Sequence, residues 1–442
     1  MDKFTRVGIL CGLTFASSLC HSQNLQVLEA YVSDADGAAT SPNLGDEAYV
    51  TVRFRATGVS RAFRTSFSAP FSRLTTQAIS LPTRQDNLHS LTWGPFPLVM
   101  DRSFDVRVDL DPENLLRERD RSDNSTSVTV TPQAPATGLE YHTPRRLQAE
   151  LSFHATFLAR PQRLVVWVPQ AISEGFQQVH SQTGLEGYRR YLTSPHLQSL
   201  LALDTTNVPA GGVYGTLRAR TTASAARINA SLLRSVTWAD LDRTARASGA
   251  WLAPERYIES NHRDIAAVVR QALGTNRRAQ SPFATAERLY LEVLRRTRYT
   301  ATPTGGPSAL NTLRRGEGDC GYLASLFVAL CRNAGIPART VNGFVTGLNR
   351  WHVWAEFHLP GHGWIPVDPA YAEAYTADGS QPLFFGVIPD LNERFATGFG
   401  FDRSAMRLNL PMLQSPALFW FGSGTRLDKF EVACSLALDS AP

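Results

Sequence analysis

The sequence predicts an α+β protein in which two β-rich modules precede a C-terminal unit of helices and strands. Its 442 residues exceed what one ordinary core organises. Apolar residues make up 43% of the chain and charged residues 19%, which is the balance of a folded protein. Short alternating runs dominate the first third, and helical periodicity begins near residue 260. We therefore expect a β-sandwich at 23–132, a second β-rich module with mixed helices at 137–255, and a core domain at 256–442.

The N-terminal module is predicted from strands whose apolar residues alternate. Residues 49–55 place Val50, Val52 and Phe54 on one face, and residues 104–110 repeat this pattern. Several such strands within about 100 residues are typical of a β-sandwich. The acidic end of the module, from Asp111 to Val130, resembles CARDB-type immunoglobulin-like adhesion domains of bacteria. Its acidic residues are interpreted as a solvated turn rather than a calcium site.

The rest of the chain is divided by a proline-containing linker at 131–136. Residues 151–157 and 164–168 are predicted strands, and residues 171–250 are predicted to mix helices with loops. A helix over 262–273 carries its apolar residues on one stripe. A second helix begins at the Ser281 cap, with Pro282 in its first turn.

The first 22 residues have the pattern of a secretory signal. Lys3 and Arg6 precede an apolar run that ends near Cys20, and the run is too short to span a membrane. Export is therefore expected, with no membrane span in the mature chain and a secreted or periplasmic location. The net charge of +5 is spread along the chain, without a basic run that would indicate nucleic-acid binding.

Three cysteines follow the signal: Cys320, Cys331 and Cys434. An odd, sparse set does not indicate a disulfide framework, and at least one thiol has to stay free. Cys331 lies within an apolar helical stretch, so we expect it in the core. Cys320 instead lies in a glycine-containing loop at the predicted start of that helix. Free N–H groups and the helix dipole favour an anion there, and the thiolate is the nucleophilic form of cysteine.

A base for Cys320 is predicted on a hairpin that follows the helix. Residues 351–359 and 364–369 are predicted strands joined by a Pro-Gly turn. Such a hairpin brings His352 and Asp368 together across the strand pair. The carboxylate would then fix the tautomer of the imidazole and stabilise its charged form. Glu356 shares the strand face of His352 and is expected to support it.

A metal site is the alternative for the same region. His358 and His362, with Cys320 and His352, have the residue types of a metal cluster, but their spacing is loose and no second cysteine is near. His362, between two glycines, is expected to be solvated. We therefore expect no metal and no cofactor.

Several motifs of this region recur together in one family. They are Gly318-Asp319-Cys320, Gly335-Ile336-Pro337-Ala338-Arg339, Val341-Asn342-Gly343, His352-Val353-Trp354-Ala355-Glu356 and Gly363-Trp364-Ile365-Pro366-Val367-Asp368-Pro369. In order and spacing they resemble the core of bacterial transglutaminase-like proteins. The resemblance covers residues 260–380 and continues through Phe384-Phe385-Gly386 and Arg403. It implies a papain-like core with Cys320 as nucleophile, His352 as general base and acid, and Asp368 as the residue that orients it.

The function implied is attack on an amide of a protein or peptide through a thioester, ending in hydrolysis or acyl transfer. Eukaryotic cross-linking members of the family use an upstream tryptophan as second oxyanion donor. No tryptophan stands at a matching position here, and Tyr299 is the substitute considered. Nor is there a calcium pattern like theirs. The alternative is a cell-surface binding or scaffold protein that keeps the fold without turnover, which the β-rich N-terminal half favours.

Overall fold

The computed structural model describes residues 23–59, 61–70, 72–79, 87–118, 120–192, 199–244, 249–304, 308–345, 350–375, 379–389, 394–399 and 415–439. The predicted signal at 1–22 and Arg403 lie outside the described residues. Within these ranges no helix has the length and apolar character needed to cross a membrane.

The N-terminal module is a sandwich of two antiparallel sheets. Its strands are β1 (Asn24–Ser33), β2 (Glu47–Thr57), β3 (Phe63–Ala69), β4 (Ser72–Ile79), β5 (Asn87–Pro97), β6 (Phe104–Leu110) and β7 (Ser125–Val130). One sheet has the order β1-β2-β5 and the other β4-β3-β6-β7. Val50, Val52 and Phe54 of β2 are buried, as the alternation predicts, because successive side chains of a strand point to opposite faces.

The acidic turn of this module is more structural than the sequence indicated. Both carboxylate oxygens of Asp111, which is fully buried, accept backbone N–H groups of Leu115 and Leu116. Glu118 accepts from the backbone N–H of Leu25 and from the side chain of Asn124. These carboxylates therefore tie the turn to the sandwich instead of lying in a merely solvated loop.

The second module adds the strands β8 (Leu139–Ala159), β9 (Arg163–Pro169), β10 (Gln177–Gln182), β11 (Arg189–Leu192), β12 (Ser199–Thr205) and β13 (Val213–Ile228). They form two sheets, in which β10, β13 and β8 are neighbours and β11, β12 and β9 are neighbours. Residues 177–228 are thus mainly strands, apart from the connecting loops, where a mixture of helices and loops was expected. The alternation of small and polar residues in β13 fits a strand with one buried face.

The C-terminal unit combines helices with a four-stranded sheet. Its elements are α1 (Ala230–Leu233), α2 (Trp238–Thr244), a 3₁₀ turn (Gly249–Trp251), α3 (Arg263–Leu273), α4 (Pro282–Arg296), β14 (Arg298–Tyr299), α5 (Ala309–Arg315), β15 (Glu317–Gly318), α6 (Cys320–Ala334), β16 (Ala338–Val345), β17 (Arg350–Leu359), β18 (Gly363–Val367), α7 (Pro369–Tyr375) and β19 (Arg394–Phe399). Two further strands follow, β20 (Ala417–Phe421) and β21 (Arg426–Leu438). The sheet order is β18-β17-β16-β19. The predicted α+β architecture is confirmed.

The last two strands correct the expected division of the chain. β20 pairs with β9 and β21 pairs with β8, both antiparallel, so they extend the two sheets of the second module. The prediction had assigned them to the domain at 256–442. Strand pairing between segments so far apart in sequence cannot be read from local periodicity, which reports only that a strand forms.

The central helix α6 is buried within the C-terminal unit. Its side chains from Leu323 to Leu330 have almost no exposed surface, and its C-cap Gly335 adopts a left-handed conformation, as expected for a helix that ends at glycine. Residues Leu98 and Val99 of the N-terminal module join the same hydrophobic core. The hydrophobic core around α6 therefore continues into the N-terminal module.

Candidate active site

Cys320 is the first residue of α6, as predicted. Asp319 is the N-cap, and its Oδ1 accepts the backbone N–H groups of Gly321 at 2.9 Å and Tyr322 at 3.2 Å. The cap thus binds the N–H groups of Gly321 and Tyr322, and the Cys320 N–H lies outside it. Cys320 itself is half-buried, while Cys331 on the same helix is fully buried, which separates an accessible thiol from a core thiol.

The loop before Cys320 requires glycine at 318. A Cβ on Gly318 would lie 2.5 Å from Cβ of Tyr322, which is closer than side-chain atoms approach. Gly318 also pairs with Tyr299, because the short strands β14 and β15 run parallel. The close packing at Gly318 therefore fixes the path of the backbone just before Cys320, and the pairing of β14 with β15 places Tyr299 near that cysteine.

His352 and Asp368 meet on the predicted hairpin. In the antiparallel pair of β17 and β18, Ala355 lies opposite Val367, so the same register continued by one residue sets Asp368 opposite Trp354, and His352 lies two residues further along β17 on the same strand face. His352 Nε2 donates to Asp368 Oδ2 at 2.7 Å. The imidazole also hydrogen-bonds to the Cys320 side chain. Because Nε2 is engaged by Asp368, the other ring nitrogen is left to face the sulfur. The structure thus brings the three predicted site residues together, and their catalytic roles stay predictions.

The electrostatics of this trio favour a charged imidazole. His352 and Asp368 are almost completely buried. Burial opposes the charged imidazolium, but the Asp368 carboxylate and the hydrogen bonds to Asp368 and Cys320 outweigh it and raise the pKa of His352 to about 9. Burial likewise opposes the ionised Asp368, but His352 and Arg394 outweigh it and lower the pKa of that carboxyl. His352 therefore carries a proton at neutral pH, opposite a nucleophile that has to lose one.

Asp368 has two further partners that sequence reasoning missed. Its Oδ1 accepts the backbone N–H of Tyr371 at 3.1 Å, and its Oδ2 accepts from Arg394 Nη2 at 3.2 Å. Tyr371 is the third residue of α7, and Asp368 lies immediately before the helix, so this bond is an ordinary N-cap contact whose signal was readable from the sequence. Arg394 enters from β19, and nothing near it in the sequence indicates the contact.

Tyr299 is close enough to Cys320 to interact with it electrostatically, and its side chain is partly exposed. Its hydroxyl is hydrogen-bonded to Arg350, whose guanidinium can only donate. The phenol oxygen is therefore the acceptor in that bond, and the O–H remains to donate elsewhere. Burial and the nearby Cys320 raise the pKa of Tyr299, which keeps the phenol protonated.

Glu356 supports a different residue from the one expected. It lies directly opposite Arg339 in the pair of β16 and β17, and Arg339 Nε donates to its Oε2 at 2.8 Å. Arg339 also packs 3.9 Å from the ring centre of Trp364. Glu356 thus belongs to a buried ion pair rather than to the support of His352, because the register sets its partner.

The histidines considered for a metal have other surroundings. His358 packs against Trp364, with ring centres 5.1 Å apart, and burial together with Arg339 lowers its pKa. His362 is partly buried beside Gly138, where a solvated side chain was expected. Among the described residues, no group of three or more histidine, cysteine, aspartate or glutamate side chains is arranged to hold a metal ion.

A family model matches this part of the chain. Residues 270–369 match the Transglutaminase-like superfamily, and the range contains Cys320, His352 and Asp368. The chain therefore carries a transglutaminase-like domain, which confirms the family resemblance. A comparison of the sequence with curated proteins found no match.

Three solved structures are similar to parts of the chain. A proposed cysteine protease from Cytophaga hutchinsonii is 16% identical and covers 69% of this chain and 95% of its own, with a TM-score of 0.47. The periplasmic domain of TgpA from Pseudomonas aeruginosa is 16% identical and covers 54% and 95%, with a TM-score of 0.29. A CARDB domain from Pyrococcus furiosus is 13% identical and covers 26% and 96%, with a TM-score of 0.19. These likenesses carry no statement about activity.

Proposed function

We propose that this chain, with its transglutaminase-like domain at 270–369, is a cysteine-dependent enzyme that cleaves amide bonds of proteins or peptides. The observation that carries the proposal is the buried imidazole of His352, which hydrogen-bonds to both Cys320 and Asp368. A nucleophile, a base and an orienting carboxylate in this order are the parts that covalent acyl transfer needs.

The chemistry follows from the positions of these groups. The Cys320 thiolate attacks the amide carbon, a C–S bond forms, and the carbonyl electron pair moves onto oxygen. When that oxyanion collapses, the C–N bond breaks and His352 gives its proton to the leaving amine. The resulting thioester is attacked by water or a second amine, whose proton returns to His352 as the thiolate leaves. Hydrolysis and transfer share every step except the choice of acceptor.

Two donors are proposed to stabilise the oxyanion. The backbone N–H of Cys320 is free of the Asp319 cap and lies at the positive end of the α6 dipole. The Tyr299 hydroxyl is the second, since Arg350 occupies its oxygen as a donor and leaves its proton for another acceptor. Tyr299 would thus supply the bond that a tryptophan supplies in the family's cross-linking members.

The Tyr299→Phe variant tests the second donor. We expect kcat to fall by about 10²-fold with little change in KM, because the hydroxyl bonds to charge that develops only in the transition state. Steady-state kinetics measures both constants. The control is Tyr322→Phe, which removes a hydroxyl from the neighbouring turn of α6. Equal losses in the two variants, or a loss confined to KM, would contradict the role of Tyr299.

The function is tested by trapping the thioester. The protein is mixed with a peptide library, quenched in acid and weighed intact; we expect an acyl adduct on Cys320, absent from Cys320→Ala. Adding a primary amine then separates the reactions, because amine-bearing product measures transfer and free acid measures hydrolysis. A folded protein that yields no adduct with any peptide would contradict the proposal and favour the binding alternative.

The proposed setting is outside the cytoplasm. The basic and apolar pattern of residues 1–22 supports export, and proteins or peptides of the cell envelope are the substrates proposed on that ground. The β-sandwich and the second module are proposed to select the substrate or attach the enzyme to a surface. The alternative, a scaffold without turnover, rests on those β-rich modules and gives no reason for the assembled Cys320, His352 and Asp368.

A further inference from the structure

Arg394 is a buried cation at the back of the candidate site. It begins β19, and its side chain is 2% exposed. Its Nη2 donates to Asp368 Oδ2 at 3.2 Å, the same oxygen that accepts from His352 at 2.7 Å. One carboxylate oxygen thus lies between two cationic partners, the guanidinium and the imidazolium.

The guanidinium is held in this position by aromatic rings. Its central carbon lies 4.9 Å from the ring centre of Trp354 and 5.9 Å from that of Tyr371. Both rings also contact His352, with ring centres 6.3 Å and 5.1 Å away. The same two side chains therefore fix the imidazole and the guanidinium, so the three groups around the carboxylate have a common frame.

The polar contacts of Arg394 are directed at Asp368. Within the described ranges, its Nε and Nη1 make no hydrogen bond. Glu356 acts on it through space, but Glu356 is already paired with Arg339 at 2.8 Å. Asp368 is therefore the carboxylate that compensates the charge of Arg394. Without it, the buried guanidinium would be unpaired, which is strongly destabilising.

Other groups with charge or potential charge face this pair. Those that act on the pair directly are His352 and Glu356 on β17, Tyr290 on α4 and Tyr371 on α7. Four more act on these neighbours: Cys320 and Asp319 on His352, and Arg350 and Tyr375 on Tyr371. The phenols of Tyr290 and Tyr371 stay neutral, because burial raises their pKa. Near neutral pH the charges next to Asp368 are thus His352 and Arg394.

We propose that Arg394 is a positioning residue, which keeps Asp368 ionised and turned toward His352 while it takes up part of the carboxylate charge. If Asp368 interacted with the imidazolium of His352 alone, it would stabilise the charged ring so strongly that the ring would not give its proton to a leaving amine. Sharing Oδ2 with a permanent cation weakens this hold without losing the orientation. The inference rests on the proposed function for its purpose, but its test does not depend on turnover.

The test is a titration of the His352 ring in ¹³C-histidine-labelled protein, assigned by comparison with His352→Ala. For Arg394→Gln we expect the pKa of His352 to rise by about one unit, because a neighbouring positive charge is gone. Arg394→Lys keeps the charge and is expected to titrate close to wild type. An unchanged midpoint in the folded glutamine variant, or equal shifts in both variants, overturns the proposal.

A second variant decides the matter if Arg394→Gln does not fold. In that case Asp368 keeps only His352 as a cationic partner, so Asp368→Asn combined with Arg394→Gln removes the carboxylate charge that Arg394 no longer compensates and is expected to recover folding. A double variant no more stable than Arg394→Gln overturns the proposal. The two proposals can fail separately. If the protein forms no thioester but the pKa of His352 changes in the Arg394 variants as expected, the proposed function is contradicted and the role of Arg394 stands.

Discussion

Replacing His352 by alanine is expected to lower kcat/KM for amide cleavage by about 10⁴-fold or more. The imidazole contacts both Cys320 and Asp368, so its loss removes the group that is proposed to hold the thiol proton and to pass it to the leaving amine. Rates of product formation from a peptide that forms the thioester measure the effect.

His358→Ala is the matched control for this prediction. His358 lies on the same strand, β17, but packs against Trp364 instead of Cys320. It is expected to keep turnover close to wild type. Comparable losses in the two variants would mean that the strand tolerates no substitution, and the assignment of His352 as acid and base would be lost.

Replacing Arg339 by methionine is expected to lower the free energy of unfolding by about 3–5 kcal/mol, because it leaves Glu356 buried without its partner. Arg339 and Glu356 are each almost completely buried, and two guanidinium nitrogens lie 2.8 Å from Glu356 Oε2. Burial raises the pKa of Glu356 even with the arginine present. The loss should therefore grow as pH rises above the usual range of glutamate, where the carboxyl has to be buried as an anion.

Denaturant unfolding at two pH values measures this loss, with an exposed pair as control. Arg53 is bonded to Glu29 at 2.8 Å, and both side chains are more than half exposed. Arg53→Met is expected to cost less than about 1 kcal/mol at either pH. Arg339→Met combined with Glu356→Leu should recover much of the stability. A loss in Arg339→Met as small as that in Arg53→Met would contradict the account of the buried pair.

The parts of the fold that follow local rules could be predicted from the sequence. Alternation identified β2 and β6, the Ser281 cap identified α4, and the spacing of apolar residues after a glycine-containing loop identified the start of α6. The contact between His352 and Asp368 was also predictable, because both residues belong to one hairpin and a short turn restricts how its strands pair. Cys320 was predicted as the third member of the site from its position at a helix N-terminus.

Contacts between distant segments could not be predicted in the same way. Arg394 reaches Asp368 because β19 pairs with β16, and Arg339 meets Glu356 because of the register between β16 and β17. β20 and β21 join the second module through pairings with β9 and β8. Each depends on strand order or register, which a single sequence does not specify beyond its hydrophobic pattern.

The central proposal is that Cys320, in contact with the imidazole of His352, is the reactive thiol of the chain. Its most direct measurement is mass spectrometry of the protein after brief exposure to labelled iodoacetamide at mildly acidic pH, where ordinary thiols react slowly. We expect label on Cys320 well ahead of Cys331 and Cys434, and loss of this preference in His352→Ala. Slow, equal labelling of all three thiols, or a preference that survives the loss of His352, would contradict the proposal.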